Sequence, residues 1–370
     1  MDLGSRSSEP LCTGERGSAI SGIGADSGGS ERSIGVDAVR AGDELAFTEL
    51  SERYRRELQV HCYRMLGSFD DSEDLVQETF LRAWRGRESF QGRSTFRAWL
   101  YRIATNACLD FLDRHPRQPR QPFAPVGGDL AVAARTPLPQ VEVAWLQPYP
   151  DRLLEPVAPS EGQPEAAVVA KETIELAFLA AIQHLPPKQR AVLIMRDVLG
   201  WSANDTAALL DGTVAAVNSA LQRARATLKL HLPERRIDWT PATDPSEEER
   251  AVLRRYVEAT ERADLAGLAA LLREDARFTM PPTPAWFTGR TAIMEIWAPM
   301  LLGPEAWPDW RHVFTEANRQ PAVAGYVRRP GESAYRALGL DVLRIEGGAV
   351  AEITSFPPQV FAAFGLPLTL

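Results

Sequence analysis

The chain is poor in cysteine: Cys12, Cys62 and Cys108 are the only three in 370 residues. They are odd in number and far apart in sequence. No C-x-x-C or paired Cys/His spacing exists, so neither a disulfide framework nor a zinc site is expected. No other metal or cofactor motif is present, and the absence of a Walker loop or nucleotide fingerprint argues against nucleotide hydrolysis. Long apolar runs are missing too, including any N-terminal one that would read as a signal peptide. A cytoplasmic protein with no membrane partner is the expectation. Nor is there an excess of positive charge: the formal net charge is −8, which excludes a protein that coats nucleic acid indiscriminately.

What is present is enough for two or three domains, with 45% hydrophobic residues to build their cores. Composition divides the chain into a Gly/Ser-rich tail over residues 1–40, expected to be disordered, and a helical unit over 41–116. A proline-rich linker over 117–165 leads to a second helical unit over 166–236. A hinge over 237–245 precedes a third unit over 246–370. The second unit carries nine Lys and Arg against six Asp and Glu, a local basic excess that suits restricted DNA contact better than bulk binding.

The most informative stretch runs from Phe69 to Asp113. Leu75, Val76, Thr79, Phe80, Ala83 and Trp84 recur on one face of a helix that is expected to start near Ser72. Asp74, Gln77, Glu78 and Arg85 occupy the other face, which is either solvated or a docking surface. The loop Phe90-Gln91-Gly92-Arg93-Ser94-Thr95 follows, with Ser94 or Thr95 positioned to cap the next helix. That helix has Phe96, Leu100, Ile103 and Ala107 inward and also carries Arg97, Trp99, Tyr101, Arg102 and Asn106. Rings stack on bases, Arg holds phosphate and Asn reads a base edge, although on the pattern alone aromatics so spaced more often fill a core. Upstream, Leu45, Phe47, Leu50, Tyr54, Leu58 and Cys62 form an apolar stripe, and the adjacent His61-Cys62 reads as a core pair.

In the second helical unit, L-P-P-K-Q-R opens a helix over Ala191–Leu199. Ser202 caps a short helix, Asp211-Gly212 turns the chain, and Thr213 caps another helix with Val214, Val217 and Leu221 inward. This is a helix-turn-helix pattern whose second helix suits the major groove. Asn218, Ser219, Gln222 and Arg223 point outward, and Asn, Gln and Arg are the side chains that pair with base edges.

The third unit opens with a helix over Glu247–Leu272. Alternating segments follow at Arg277–Met280, His312–Asn318, Ala322–Tyr326, Leu338–Ile345 and Val350–Thr354, punctuated by turns at Arg329-Pro330-Gly331 and Glu346-Gly347-Gly348. The expectation is an α+β cone with a curved antiparallel sheet. Glu258, His312 and Asp341 are its candidate polar groups, and Trp286, Phe287, Trp297 and Trp307 line or fill its interior.

E-D-L-V-Q-E-T-F-L-R-A-W followed by S-F-x-G-x-S-T-F-R-A-W-L-Y-R-I-A-x-N resembles region two of extracytoplasmic-function (ECF) sigma factors of bacterial RNA polymerase, over Glu44–His115. The resemblance implies that Asp74, Gln77 and Glu78 bind the clamp of the polymerase core's β′ subunit. It also implies that Phe90, Gln91, Arg93, Ser94, Thr95 and Asn106 handle the opened −10 element. L-P-P-K-Q-R-A-V-L and V-N-S-A-L-Q-R-A-R-A-T-L resemble region four of the same family, implying −35 contact through Asn218, Ser219, Gln222 and Arg223. Many members have Arg-Ser where Asn218-Ser219 stand, which leaves the −35 preference of this chain open. Y-V-E-A-x-E-R-A-D-L-A-G-L-A-A-L-L-R-E-D-A-x-F-x-M-P-P with W-F-x-G-R-x-A-I resembles the SnoaL-like branch of the nuclear-transport-factor-two superfamily, over Glu247–Phe364.

The expectation is therefore an alternative sigma factor and not an enzyme: two all-α units joined by a proline-rich linker, with a C-terminal α+β cone that tunes activity. Core RNA polymerase and promoter DNA are its expected partners, with room for a separate anti-sigma factor or a small ligand in the cone. The linker residues Trp145 and Tyr149 have two fates open, threading the polymerase cleft or packing on the chain's own third unit. The rival readings are a regulator that uses only the helix-turn-helix, and a SnoaL-like enzyme with a DNA-targeting region.

Overall fold

The computed structural model describes residues 36–90, 95–117, 143–154, 174–231, 245–283, 286–303, 306 and 309–370. The segment 1–35, most of the proline-rich linker and nearly all of the hinge lie outside the described residues.

Among the described residues the first unit is built on the α-helices α1 Glu44–Leu66, α2 Phe69–Arg85 and α3 Phe96–Arg114. The Asp43 carboxylate starts α1 by accepting the Leu45 and Ala46 N–H groups at 2.9 and 3.0 Å. Leu50, Tyr54, Leu58 and Cys62 are buried as the stripe requires. Leu45 departs from that expectation and is 83% exposed. It lies about two and a half turns before Tyr54, on the opposite side of the helix. The start of α2 also differs. Gly67 ends α1 in the left-handed region at φ 70, and Ser68 caps α2 at once. Ser72 is buried in the first turn, its hydroxyl donating to the Phe69 carbonyl at 2.6 Å.

The second unit contains α4 Leu176–Gln183, α5 Pro187–Leu193, α6 Ala203–Leu209 and α7 Val214–His231. The expected continuous helix to Leu199 instead widens into a π-helical turn over Ile194–Val198. The third unit has α8 Glu247–Glu261, α9 Leu265–Leu271, β1 Leu272–Thr279, β2 Trp286–Thr288, α10 Arg290–Leu302, β3 Asp309–Ala317, β4 Gln320–Arg328, β5 Arg336–Glu346, β6 Ala349–Phe356 and α11 Phe361–Phe364. The single helix expected over Glu247–Leu272 is broken at Ala263, whose φ is 49, and Asp264 caps α9 by accepting the Gly267 N–H. The strand order is β2-β1-β6-β5-β4-β3. β1 runs parallel to β6, so the sheet is mixed where a wholly antiparallel one was expected.

The three units meet at one place. Residues 143–154 of the linker lie between the α1–α2 corner and the β3–β4 hairpin. Gln147 grips the corner: its N–H donates to the Gly67 carbonyl at 2.9 Å, and its side chain takes the Ser68 hydroxyl and the Asp70 N–H, both at 3.0 Å. Tyr149 is fully buried, its ring 5.0 Å from that of Tyr63 and 5.4 Å from that of Phe69. The hairpin turns through Asn318 and Arg319 at φ 56 and 59, a conformation that Asn tolerates well. The buried Asn318 amide accepts the Tyr149 N–H at 2.7 Å, and donates to the Tyr63 hydroxyl at 2.9 Å and to the Ile174 carbonyl at 2.6 Å. Next to it, Asp151 accepts the Arg319 N–H at 3.0 Å. The Tyr149 ring thus packs on the first unit while its backbone bonds the third, and Trp145 lies beside the Arg117 guanidinium, which is 5.7 Å from its ring centre.

Arg190 joins the two helical units. Its guanidinium is buried among carbonyls at helix C-termini, where unpaired C=O groups and the negative end of the helix dipole await a cation. It donates to the Ile182, Gln183, Leu185 and Met65 carbonyls and to the Gln183 side chain. Burial lowers its pKa to about 9, which leaves it charged at neutral pH.

His61 and Cys62 are both core residues. The Cys62 and Cys108 thiols touch, and burial followed by that contact pushes Cys108 well above the usual thiol range. His61 Nε2 lies 2.9 Å from the Thr105 hydroxyl, and burial lowers the imidazole to about 3.

Two measurements check this packing. Replacing Asn318 by Ala leaves buried Tyr149 and Ile174 backbone groups unpaired and puts a residue that tolerates the left-handed region less well than Asn into the turn. Denaturant unfolding of N318A is expected to show a loss of about 2–4 kcal/mol. His61 binds its proton more weakly when folded than when unfolded. Its contribution is therefore complete above the unfolded pKa of about 6.5 and is lost as pH falls toward 3. Unfolding free energies at pH 7.5 and 5 should differ by about 2 kcal/mol less in H61F than in the parent.

Candidate polymerase-binding and promoter-binding faces

Helix α2 buries Leu75, Val76, Thr79, Phe80 and Ala83 against α1 and α3, which leaves its other face free to project outward. Asp74 and Gln77 are exposed there. Glu78 is half-buried, because Arg82 holds it at 2.8 Å while also reaching Asp110 at 2.8 Å. Two carboxylates and an amide thus sit on consecutive turns, with one carboxylate already fixed in place.

The base-handling candidates are arranged differently. Gln91, Arg93 and Ser94 lie outside the described residues. Thr95 is exposed and caps α3, its hydroxyl accepting the Ala98 N–H at 3.1 Å. Phe90 is buried, edge-on to Phe96 at 5.8 Å and tilted against Trp99 at 5.1 Å. Asn106 is half-buried one turn beyond Arg102 on the same side of α3. The cations of this helix are engaged: Arg97 holds Glu57 at 2.5 Å and covers the Tyr101 ring, and Arg102 holds Asp211 at 2.8 and 3.0 Å. Tyr101 is buried and packs against Trp201 at 5.3 Å.

The helix-turn-helix forms from local capping. The Ser202 hydroxyl accepts the Asp205 N–H at 3.0 Å to begin α6. Asp211 takes φ 49, Gly212 N–H closes on the Ala207 carbonyl at 2.8 Å, and the Thr213 hydroxyl accepts the Ala216 N–H at 3.2 Å to begin α7. Val217, Leu221, Ala224 and Leu228 are buried. Val214 is 37% exposed rather than inward, since it is the first residue of α7 and overhangs the packed stripe. Asn218, Ser219, Gln222 and Arg223 are all exposed along one side of α7. The turn that precedes this helix is the one Arg102 holds, so α7 starts beside the face of α3 that carries Asn106.

In the cone, Glu258 is exposed and takes no part in the interior. His312 and Asp341 line a common cavity. The partner of His312 is Glu261, 2.9 Å from Nδ1, a residue the sequence pattern did not single out. The partner of Asp341 is Tyr256, whose hydroxyl donates at 2.9 Å. Trp297 lines the cavity, Phe287 is buried, Trp286 is half-buried, and Trp307 lies outside the described residues. No group of three or more His, Cys, Asp or Glu among the described residues is placed to hold a metal ion, and no described helix is long and apolar enough to cross a membrane.

Comparison with known proteins gives these faces their context. Residues 50–118 match the sigma-70 region 2 family, residues 175–228 match sigma-70 region 4, and residues 253–353 match the SnoaL-like domain. The ECF RNA polymerase sigma factor SigG of Mycobacterium tuberculosis is 40% identical over 333 residues, covering 90% of this chain and 86% of that protein. SigW of Bacillus subtilis is 29% identical over 197 residues, 53% of this chain and 94% of that protein. The crystal structure of the M. tuberculosis ECF sigma factor SigJ shares the fold, with a TM-score of 0.53 at 22% identity, over 87% of this chain and 99% of that one. On the SigG match, supported by its region 2, region 4 and SnoaL-like segments, the chain belongs to the extracytoplasmic-function family of RNA polymerase sigma factors.

Proposed function

We propose that this sigma factor binds core polymerase through Asp74, Gln77 and Glu78 on α2. It reads the −35 duplex with Asn218, Ser219, Gln222 and Arg223 on α7, and handles the opened −10 strand with residues 90–95 and Asn106. It acts by binding alone, with no covalent step of its own. The observation that carries this reading is a pair of outward polar helix faces, on α2 and α7, each backed by its own buried stripe.

The same geometry supports a resting, closed form. The −10 and −35 elements lie about 25 base pairs apart, roughly 85 Å of B-DNA at 3.4 Å per base pair. Here the Arg102–Asp211 pair holds the turn before α7 against the helix bearing Asn106. Both promoter faces cannot be occupied until that contact parts. Phe90 and Tyr101 are buried, and Arg97 and Arg102 are paired, so these four side chains are engaged within the chain rather than offered to unstacked bases. The cone, through Asn318, braces the linker that joins the two promoter-binding units. It does within one chain what a separate anti-sigma protein would do from outside, and so tunes promoter binding.

Run-off transcription with purified core polymerase tests both parts. A D74R/Q77A variant should lose core binding and transcription together, by tenfold or more. R223A should keep core binding and lose transcription from −35-dependent promoters. Full activity in both variants would remove the proposed assignment. Asp211→Asn keeps the left-handed turn but drops the ion pair with Arg102. The pair is exposed and weak, so D211N is expected to raise transcription by about two- to fivefold, and an unchanged or lower yield would argue against a closed resting form.

A further inference from the structure

The cone's sheet has two faces, and each belongs to a different core. Side chains alternate along a strand. Ala322, Ala324 and Tyr326 of β4, with Leu340 and Val342 of β5, therefore join the core built with the linker and the sigma helices. Val323, between them, joins Leu343, Ile353 and the cone's own helices. On this second face the packing stops at Gly325 and Gly339, which are paired across β4 and β5. A cavity of ≈ 400 Å³ opens above them. A Cβ on Gly325 would stand 3.7 Å from the Trp310 ring and 3.9 Å from His312. The volume falls in the range of small-molecule sites, about 300–1,000 Å³.

The lining states what would fit. Phe278, Trp297 and Trp310 give it aromatic walls, and Tyr256, His312 and Asp341 give it a polar end. These polar groups are held in place, Tyr256 on Asp341 and Glu261 on His312. Among the described residues no lysine or arginine lines the cavity, so an anionic ligand meets no permanent positive charge there. Asp341 already accepts the Tyr256 hydroxyl at 2.9 Å and a side-chain hydrogen bond from Ser355, so its oxygens are largely engaged before any ligand enters.

We propose that this cavity binds a neutral, ring-containing apolar molecule bearing one hydroxyl or carbonyl. The rings lie among Phe278, Trp297 and Trp310, and the oxygen meets Tyr256, His312 and Asp341. We further propose that occupancy is felt at the junction on the other side of the sheet. The path is short: Gly325 forms the cavity floor, while Ala324 and Tyr326 on either side of it pack into the sigma core. The strand pairing is irregular between Gly325 and Tyr326, and the hairpin carrying Asn318 begins the same strand. This second half rests on the reading of the cone as a brace; the binding half does not. Linkage makes the effect reciprocal, so opening the junction changes ligand affinity by the factor with which the ligand changes opening.

The test uses the full chain and two neutral probes, 2-naphthol and 4-phenylphenol, followed by tryptophan quenching and calorimetry. At least one should bind saturably at one site, with a dissociation constant on the order of 100 µM for a ligand this small. The charged 2-naphthoate and the oxygen-free naphthalene should bind tenfold or more weaker. Gly325→Val fills the floor in a residue type suited to a strand; with its melting curve confirming folding, it should weaken binding tenfold or more. Saturable binding of neither probe, equal binding of the naphthoate, or an unaffected Gly325→Val would overturn the site. Hydrogen exchange then reads the coupling: the bound probe should change protection of the Tyr149 and Asn318 amides by threefold or more. Binding with unchanged protection there would overturn the coupling and leave the site standing. Run-off transcription insensitive to D211N would remove the closed-form reading without touching either result.

Discussion

One side-chain amide holds the three units in register. Asn318 supplies one acceptor and two donors, and each goes to a different segment: the linker at Tyr149, the end of α1 at Tyr63, and the approach to α4 at Ile174. Buried polar groups are costly unless paired. Each of the three segments therefore needs the amide, and the amide needs all three. Its left-handed backbone serves the hairpin at the same time. Few side chains satisfy both demands; Gln has the donors but not the short reach that a left-handed turn favours. The arrangement makes the junction close to all-or-none, a property suited to an element that must be either shut or open.

Arg190 sets the same constraint between the two helical units by a different means. The helix ends it gathers come from both units, and no nearby carboxylate is needed to hold it because the carbonyls already supply the negative charge density. Sequence and structure meet here in an instructive way. Arg190 belongs to the L-P-P-K-Q-R stretch that carries the resemblance to region four, and a basic residue in a DNA-binding unit invites a phosphate. Burial decides otherwise.

What was legible in the sequence was local. Thr95, Ser202 and Thr213 cap the helices they were expected to cap, because a cap is set by residues three positions away. The outward sides of α2 and α7 follow from periodicity alone. Helix α2 begins at Phe69 rather than near Ser72, because Gly67 reverses the chain earlier than the acidic run suggests. Glu258 and Glu261 lie on the same helix, and nothing in their spacing says which one β3 will bring His312 against. The bond between Tyr149 and Asn318 joins residues 169 apart, and no local pattern announces such a pair. Periodicity names faces; it does not name what covers them.

The two-sided sheet has a consequence for how such a chain can be divided. Tyr149, Leu154, Ile174 and Phe178 share a core with Ala322, Ala324, Tyr326 and Phe361. Cutting the chain after α7 would strip that cover and leave a contiguous oily surface on the helical half, the kind of patch that drives self-association. A shortened chain that failed in solution would then report its own stickiness rather than a missing regulator. In β4, neighbouring codons also answer to different masters: a change at Ala322 is felt by the promoter-binding half, and a change at Val323 by the cone's interior.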